Sequence, residues 1–309
     1  MSDMAKYVIT GADGFIGRHM TRYLSAAGHS VTALIMVKSP LRGTLEGLKG
    51  VRIVECDLLH LDEVRDKIPP SPDVVLHLAW AGVAAELRDD LVEQRKNEEL
   101  SLSVVRFASE INAARFVLPG STMEYSLGEK IISGIDDVPT PQNAYGAVKV
   151  ATRFLCEALA RKLGLHFNYV IFSSVYGPDR RDGNVIYYVI RALLRGESPK
   201  LTKMEQLWDF IHIDDLVRAL AAVCEKGVDG RTYPIGYGGR VRLAEYIQEI
   251  HRLIDPSVEL GIGARPYDYG RSPHSCVDTT ALAQDTGFMP RISFSGGIKD
   301  VIRQIREEG

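Results

Sequence analysis

Tyr145 and Lys149, four positions apart, and Ser121 upstream of them are the residues whose types and spacing suit chemistry. On a helix, positions i and i+4 share a face and lie one turn apart. A phenol beside an ammonium is favoured in its ionised form, because the neighbouring positive charge stabilises the phenolate. Bringing a tyrosine from about 10 to neutrality takes about 4 kcal/mol. Lys149 and one further nearby positive charge can supply that, which would make Tyr145 a proton carrier. The same spacing also arises by chance in ordinary helices, so the surrounding elements decide its meaning.

Those elements alternate. The β-branched run 7–10 meets Gly11-x-x-Gly14-x-x-Gly17, and a helical pattern follows through Met20, Leu24 and Ala27, closed by Gly28. Strand, glycine loop and helix together are the context of a phosphate-binding turn, the alternative being a tight βα turn with no ligand. Gly11 allows the tight turn, Gly14 lets a pyrophosphate approach the backbone, and Gly17 lets the helix pack on the strand. The free amides at the helix start face the anion. A second strand spans about 29–37. Its end, 34–38, lacks the acid that grips adenosine ribose hydroxyls in NAD-binding chains, and Lys38 and Arg42 follow. This favours NADP, with NAD the alternative. Further strands are expected at 51–58, ending near Asp57; at 73–80, ending near Ala79 and Trp80; at 115–121; and at 167–175, running into a turn at Pro178. Helices are expected at 90–112, at the Tyr145 stretch and at 184–196, with a short apolar segment at 209–213 leading into another helix. Such alternation implies an α/β fold, a doubly wound parallel sheet that binds ligands at the carboxyl ends of its strands. Asp57, Ala79 and Ser121 lie at such ends. His77, apolar on both sides, reads as a hydrogen-bonded core histidine. Residues 1–175, with 209–235 returning to them, form the dinucleotide domain; 176–208 and 236–309 form a smaller mixed α/β lobe.

Composition narrows the partners. The chain has 309 residues, a net charge of −3 and 25% charged residues, with no basic block, which argues against nucleic acid. No apolar run approaches the roughly 18 residues that a membrane helix needs. The N-terminus lacks a signal-peptide pattern. Cys56, Cys156, Cys224 and Cys276 are scattered, as suits buried thiols in a reducing cytoplasm better than disulfides or zinc. No structural metal is expected.

In order along the chain, Gly11-x-x-Gly14-x-x-Gly17, Asp57-Leu58, His77-Leu-Ala79, Asn97, Ser121, Tyr145-x-x-x-Lys149, Tyr176-Gly-Pro178, the 209–215 segment and Asp278-Thr-Thr-Ala-Leu resemble one family. It is the extended short-chain dehydrogenase/reductases that act on nucleotide sugars, and the resemblance covers nearly the whole chain. It implies a Rossmann-like fold and an enzyme of cytoplasmic polysaccharide biosynthesis. Tyr145 would be the acid/base residue, Lys149 the group that lowers its pKa and holds the nicotinamide ribose, and Ser121 the hydroxyl on the sugar oxygen. Gly11, Gly14, Phe15, Ile16 and Gly17 would bind pyrophosphate, Asp57 and Leu58 the adenine, and Ala79 the middle of the cofactor, with Trp80 beside it and Lys38 near the ribose. Asn97 would support the site from the helix beneath. Two departures narrow the reaction. The family's dehydratases follow the Ser/Thr with Asp-Glu, whereas Thr122 and Met123 stand here, so 4,6-dehydration is disfavoured. Trp208 replaces a phosphate-gripping arginine, leaving Arg265, then Arg231 and Arg242, as candidates for the diphosphate; Ser174 replaces a sugar-contacting asparagine. The local patterns 120–125, 77–80 and 203–209 favour an NADPH-dependent 4-reductase of a nucleotide-linked 4-keto-6-deoxyhexose. The alternatives are an NAD-dependent nucleotide-hexose 4-epimerase and, remotely, a non-catalytic dinucleotide sensor, which would be expected to lose Tyr145, Lys149 or Ser121. A homodimer through the Tyr145 helix is implied, with Leu100, Val104, Phe154 and Leu155 as apolar candidates.

Overall fold

Alternating side chains explain the central sheet. In the first strand Tyr7 and Ile9 enter one apolar cluster and Val8 the other, so both faces are buried, as in a parallel sheet covered by helices. The structure is a computed structural model and describes residues 4–126, 131–180, 184–267 and 275–308. The strands are β1 (Lys6–Thr10), β2 (Ser30–Ile35), β3 (Val51–Glu55), β4 (Val74–His77), β5 (Arg115–Ser121), β6 (His166–Phe172), β7 (Ser174–Tyr176), β8 (Lys200–Leu201), β9 (Leu207–Trp208), β10 (Phe210–His212), β11 (Thr232–Ile235), β12 (Val241–Arg242) and β13 (Gly261–Ile262). The helices are α1 (Phe15–Ala26), α2 (Leu91–Glu110), α3 (Ala144–Leu163), α4 (Val185–Leu194), α5 (Ile213–Lys226), α6 (Leu243–Ile254), α7 (Thr280–Thr286) and α8 (Phe294–Glu308).

Seven strands form one parallel sheet in the order β3-β2-β1-β4-β5-β6-β11. The chain reverses direction across the sheet between β1 and β4, which opens a crevice at their carboxyl ends. Helices α1 and α5 pack together on one face, and α2 and α3 on the other. A third cluster, including Tyr176, Ile186, Phe210, Ile247 and Val301, joins α4, α6 and α8 around the short strand pairs β7–β10, β8–β13 and β9–β12. No helix among the described residues is long and apolar enough to cross a membrane.

Two expectations about the strands are corrected. The sixth strand does not run through to 175. The Ser173 amide still donates to Ile235, but the Ser174 amide donates to Asp209, so the chain leaves the main sheet there and β7 pairs with β10. The second strand stops at Ile35, before the turn of Lys38, whose φ is 58°. Of the apolar candidates on α2 and α3, Val104 lies in the core, while Phe154 and Leu155 are 53% and 43% exposed.

Candidate active site

The carboxyl end of β5 and the first turns of α3 bring the chemistry together. Asn143 caps α3, its side chain accepting from the Gly146 amide at 2.9 Å. Tyr145 and Lys149 then sit one turn apart inside the helix. The Tyr145 hydroxyl faces the Ser121 side chain. Ser121 is held from behind: its amide donates to Glu124 Oε1 at 2.6 Å, and its Oγ accepts from the Met123 amide at 3.2 Å. Glu124, which the sequence reading passed over, is fully buried and accepts a second bond from Tyr169 on β6 at 2.7 Å. It faces the sheet and cannot serve as the missing elimination residue. Its signal was the spacing Ser121-x-x-Glu124, that of a capping box, and the structure forms one.

Lys149 behaves differently from the expectation. Its Nζ donates to the Pro119 carbonyl at 2.9 Å, lies 3.6 Å from the centre of a Trp80 ring and 5.8 Å from the centre of the Tyr145 ring. Burial pulls the ammonium down to about 7, opposed by the nearby Glu124 carboxylate. The Tyr145 hydroxyl lies deep although the residue is only half-buried, and burial pushes it up to about 12. The Ser121 hydroxyl and the Arg88 charge pull it back, while Glu124 raises it further. Desolvation dominates that shift, and Lys149, turned toward Pro119 and Trp80, is not among its leading causes. Arg88 comes from the 82–90 loop, which docks on the start of α3. The Tyr145 amide donates to the Arg88 carbonyl at 2.8 Å and the Ala144 amide to Asp89 at 3.2 Å.

His77 is wired under the site rather than facing it. Ser101 Oγ donates to the Asn97 carbonyl at 2.7 Å, so it must accept from His77 Nε2 at 3.0 Å. His77 Nδ1 then accepts from Thr10 Oγ1 at 2.7 Å, and Thr10 Oγ1 accepts the Ala79 amide at 3.2 Å. The Asn97 side chain accepts from the Ala81 amide at 2.7 Å and donates to the Ala81 carbonyl at 3.1 Å. Only the neutral imidazole satisfies this chain of bonds. Burial pushes His77 down to about 3, with a smaller contribution from Lys149. The unfolded chain takes up a proton near the ordinary value of 6.5 and the folded one does not, so stability is full above about 6.5 and falls as pH drops toward 3. That loss amounts to at most about 5 kcal/mol. Urea unfolding of His77→Gln should show an acid slope shallower by one proton than the wild type; an unchanged slope would refute this assignment.

The glycine loop meets the requirements of a bound dinucleotide. Gly11 has φ 63°, and a Cβ there would lie 2.8 Å from the Ala79 backbone; one on Gly17 would lie 2.1 Å from the Gly11 carbonyl. Gly14 begins α1 without a side-chain cap, and the first turn holds no acid. The amides of Phe15, Ile16 and Gly17 therefore present donors to an anion. Two guanidiniums lie near the Phe15 ring, Arg18 at 5.8 Å and Arg180 at 5.5 Å from its centre. Asp57 is exposed beyond β3 and accepts from the Leu59 amide at 2.9 Å; Leu58 is half-buried against α2. Ala79 and Trp80 sit at the β4 end of the crevice. Lys38 is exposed and its amide donates to Glu55 at 3.2 Å, while Arg42 is bound by Glu46 at 3.2 Å and by Glu55 at 2.9 Å.

On the other side, Trp208 donates its indole N–H to Ser174 Oγ at 2.7 Å, and Ser275 Oγ donates to Thr122 Oγ1 at 3.0 Å. Ser275 also bridges to Trp208, so Thr122, Ser174 and Trp208 line one polar corner beside Ser121. A cavity of about 540 Å³ between α4, β8 and the 261–265 segment is lined by Arg191, Arg195, Lys200 and Arg265, with Tyr188 in its wall and no carboxylate among its lining residues. Its size and charge suit a nucleoside diphosphate. Arg231 is not part of it: its guanidinium pairs with Asp285 at 2.5 Å, at the amino end of β11. Arg242 is exposed at the start of α6.

A parallel sheet in this order, a glycine loop at its switch point and a tyrosine–lysine helix at the end of β5 define a protein of the short-chain dehydrogenase/reductase type. Residues 7–236 match the model of the NAD dependent epimerase/dehydratase family, and the chain belongs to that family. A UDP-N-acetyl-alpha-D-glucosaminuronate decarboxylase of Bacillus cytotoxicus is 27% identical, over 97% of each chain. A dTDP-glucose 4,6-dehydratase of Neisseria meningitidis is 27% identical over 97% of this chain and 93% of its own. The crystal structure of the UDP-glucuronic acid 4-epimerase of Bacillus cereus in complex with NAD superposes with a TM-score of 0.84 at 21% identity, covering 98% of this chain and 99% of that one.

Proposed function

We propose that the protein reduces a nucleotide-linked 4-keto-6-deoxyhexose at its ring carbonyl, with Tyr145 as the proton donor. The observation that carries this reading is the Tyr145–Ser121 hydroxyl pair, flanked by Thr122 and Met123 instead of an acid and a base. One proton path suits carbonyl–alcohol interconversion; elimination of water needs a second. A bound nicotinamide dinucleotide supplies the hydride. Ser121 and Tyr145 together hold the carbonyl oxygen, and Tyr145 passes its proton to that oxygen as the new C–H bond forms, leaving an alcohol. Lys149, with one of its three N–H groups spent on Pro119, keeps donors for the ribose and a charge that favours the phenolate. Arg191, Lys200 and Arg265 hold the diphosphate. Between the two cofactors, the charges around Arg42 support NAD over the NADP expected from Lys38 and Arg42, because Glu46 and Glu55 already occupy that guanidinium.

A second reading, an NAD-dependent 4-epimerase of a nucleotide hexose, is favoured by the same acidic corner and by the epimerase with which the chain superposes. The two separate in a nicotinamide absorbance assay. Consumption of NADH or NADPH by a 4-keto-6-deoxysugar nucleotide is expected. Interconversion of UDP-hexoses without added cofactor, with no consumption by any keto sugar, would sink the reductase.

A further inference from the structure

In doubly wound folds the adenosine ribose is gripped by an acid at the end of the second strand. Residues 34–38 offer none. The structure supplies a carboxylate from another element. Asp13, the third residue of the glycine loop, is only 8% exposed. The loop lies against the end of β2, with the Ala12 amide 3.4 Å from the Leu34 carbonyl. The Asp13 side chain neither caps α1 nor forms an ion pair among the described residues. Instead Ser39, in the turn after β2, donates its hydroxyl to Asp13 Oδ2. That turn is built for the contact. Lys38 takes a positive φ of 58°, the Ser39 amide closes onto the Met36 carbonyl at 3.1 Å, and Ser39 Oγ accepts the Leu41 amide at 3.2 Å. The second oxygen, Oδ1, has no hydrogen-bond partner among the described residues.

We infer that Asp13, braced by Ser39, replaces the missing β2 acid as acceptor for the adenosine ribose hydroxyls and selects NAD against NADP. The inference rests on the dinucleotide reading of the glycine loop. A carboxylate with one oxygen fixed presents the other to a ribose hydroxyl, which donates to it in a charge-assisted bond. A 2′-phosphate in the same place would bring a second negative charge against Asp13. The corner gives it little relief. Three carboxylates, of Asp13, Glu46 and Glu55, stand with two cations, Lys38 and Arg42, and Arg42 is already bound by both glutamates.

The test is titration of the full-length protein with NAD and, separately, with NADP, followed by isothermal calorimetry. The wild type is expected to bind NAD at least about tenfold more tightly than NADP. Asp13→Asn keeps the shape and an acceptor for Ser39 but removes the charge. It should weaken NAD and strengthen NADP, so that the ratio of their affinities falls about tenfold or more. Wild-type protein that prefers NADP overturns the proposal without recourse to any variant. So does an Asp13→Asn protein that binds both nucleotides in the wild-type ratio. Failure of the wild type to bind either nucleotide would overturn the dinucleotide reading itself, and this assignment with it.

Discussion

Tyr145→Phe is expected to lower turnover by about a hundredfold to ten-thousandfold, the range for losing a positioned proton donor. The phenol is the donor closest to the chemistry, and Ser121 cannot substitute, because an alkyl hydroxyl is a far weaker acid than a phenol. The ring itself stays: it packs edge-on against Trp80 with centroids 6.0 Å apart, and the Tyr145 amide keeps its bond to Arg88. Dinucleotide affinity should therefore be nearly unchanged, and the loss should fall on kcat. Stability should shift by no more than about 1 kcal/mol, the net worth of one hydrogen bond. A variant with wild-type turnover would remove Tyr145 from the mechanism.

The second large effect is expected from Glu124→Ala. The substitution strips the acceptor from two buried donors, the Ser121 amide and the Tyr169 hydroxyl, and leaves Lys149 buried without its nearby countercharge. Stranded buried donors and an unpaired charge cost about 3 kcal/mol together. Because Glu124 fixes the backbone of Ser121, turnover should fall as well, about tenfold to hundredfold. Glu124→Gln separates the two roles. Its carbonyl can still accept from Ser121 and Tyr169, so most of the stability should return. The charge is gone, however, and Glu124 is what holds the Lys149 pKa up against burial. Any loss of activity on deprotonating Lys149 should then move to lower pH in the kcat profile. Identical pH profiles for wild type and Glu124→Gln would show that Glu124 acts through packing alone.

The parts of the fold legible in the sequence were those with local causes. The run 7–10 and its glycines sit where a turn needs φ above zero and where a Cβ would strike backbone. The long helices announce themselves through Asp90 and Asn143 as caps and through apolar periodicity. The seventh strand escaped because Thr-Tyr-Pro-Ile is short and carries Pro234, a residue that strand patterns reject; at the sheet edge its missing N–H costs little. The break at Ser173 was equally hidden, since it depends on Asp209, 36 positions further on. In the site, Ser121, Tyr145 and Lys149 could be picked out by type and spacing. The charges acting on them could not. Arg88 arrives on a loop, Glu124 from behind the strand, and the depth of burial that raises the phenol is a property of the whole assembled crevice.

The way the 82–90 loop is attached separates two kinds of variation. Arg88 Nε donates to the Val83 carbonyl at 3.1 Å, and Gln94 donates to the carbonyls of Gly82 at 2.8 Å and Leu87 at 3.0 Å. Tyr145 reaches the loop through the Arg88 carbonyl. Main-chain oxygens and the Asp89 carboxylate do the anchoring, while the side chains of Val83, Ala84, Ala85, Glu86 and Leu87 stand exposed and take no part in it. Residues 83–87 can thus change identity without disturbing the seat of the reactive phenol. The outer face of the rim is free to vary, whereas its inner end, Arg88 and Asp89, is mechanically part of the reactive centre.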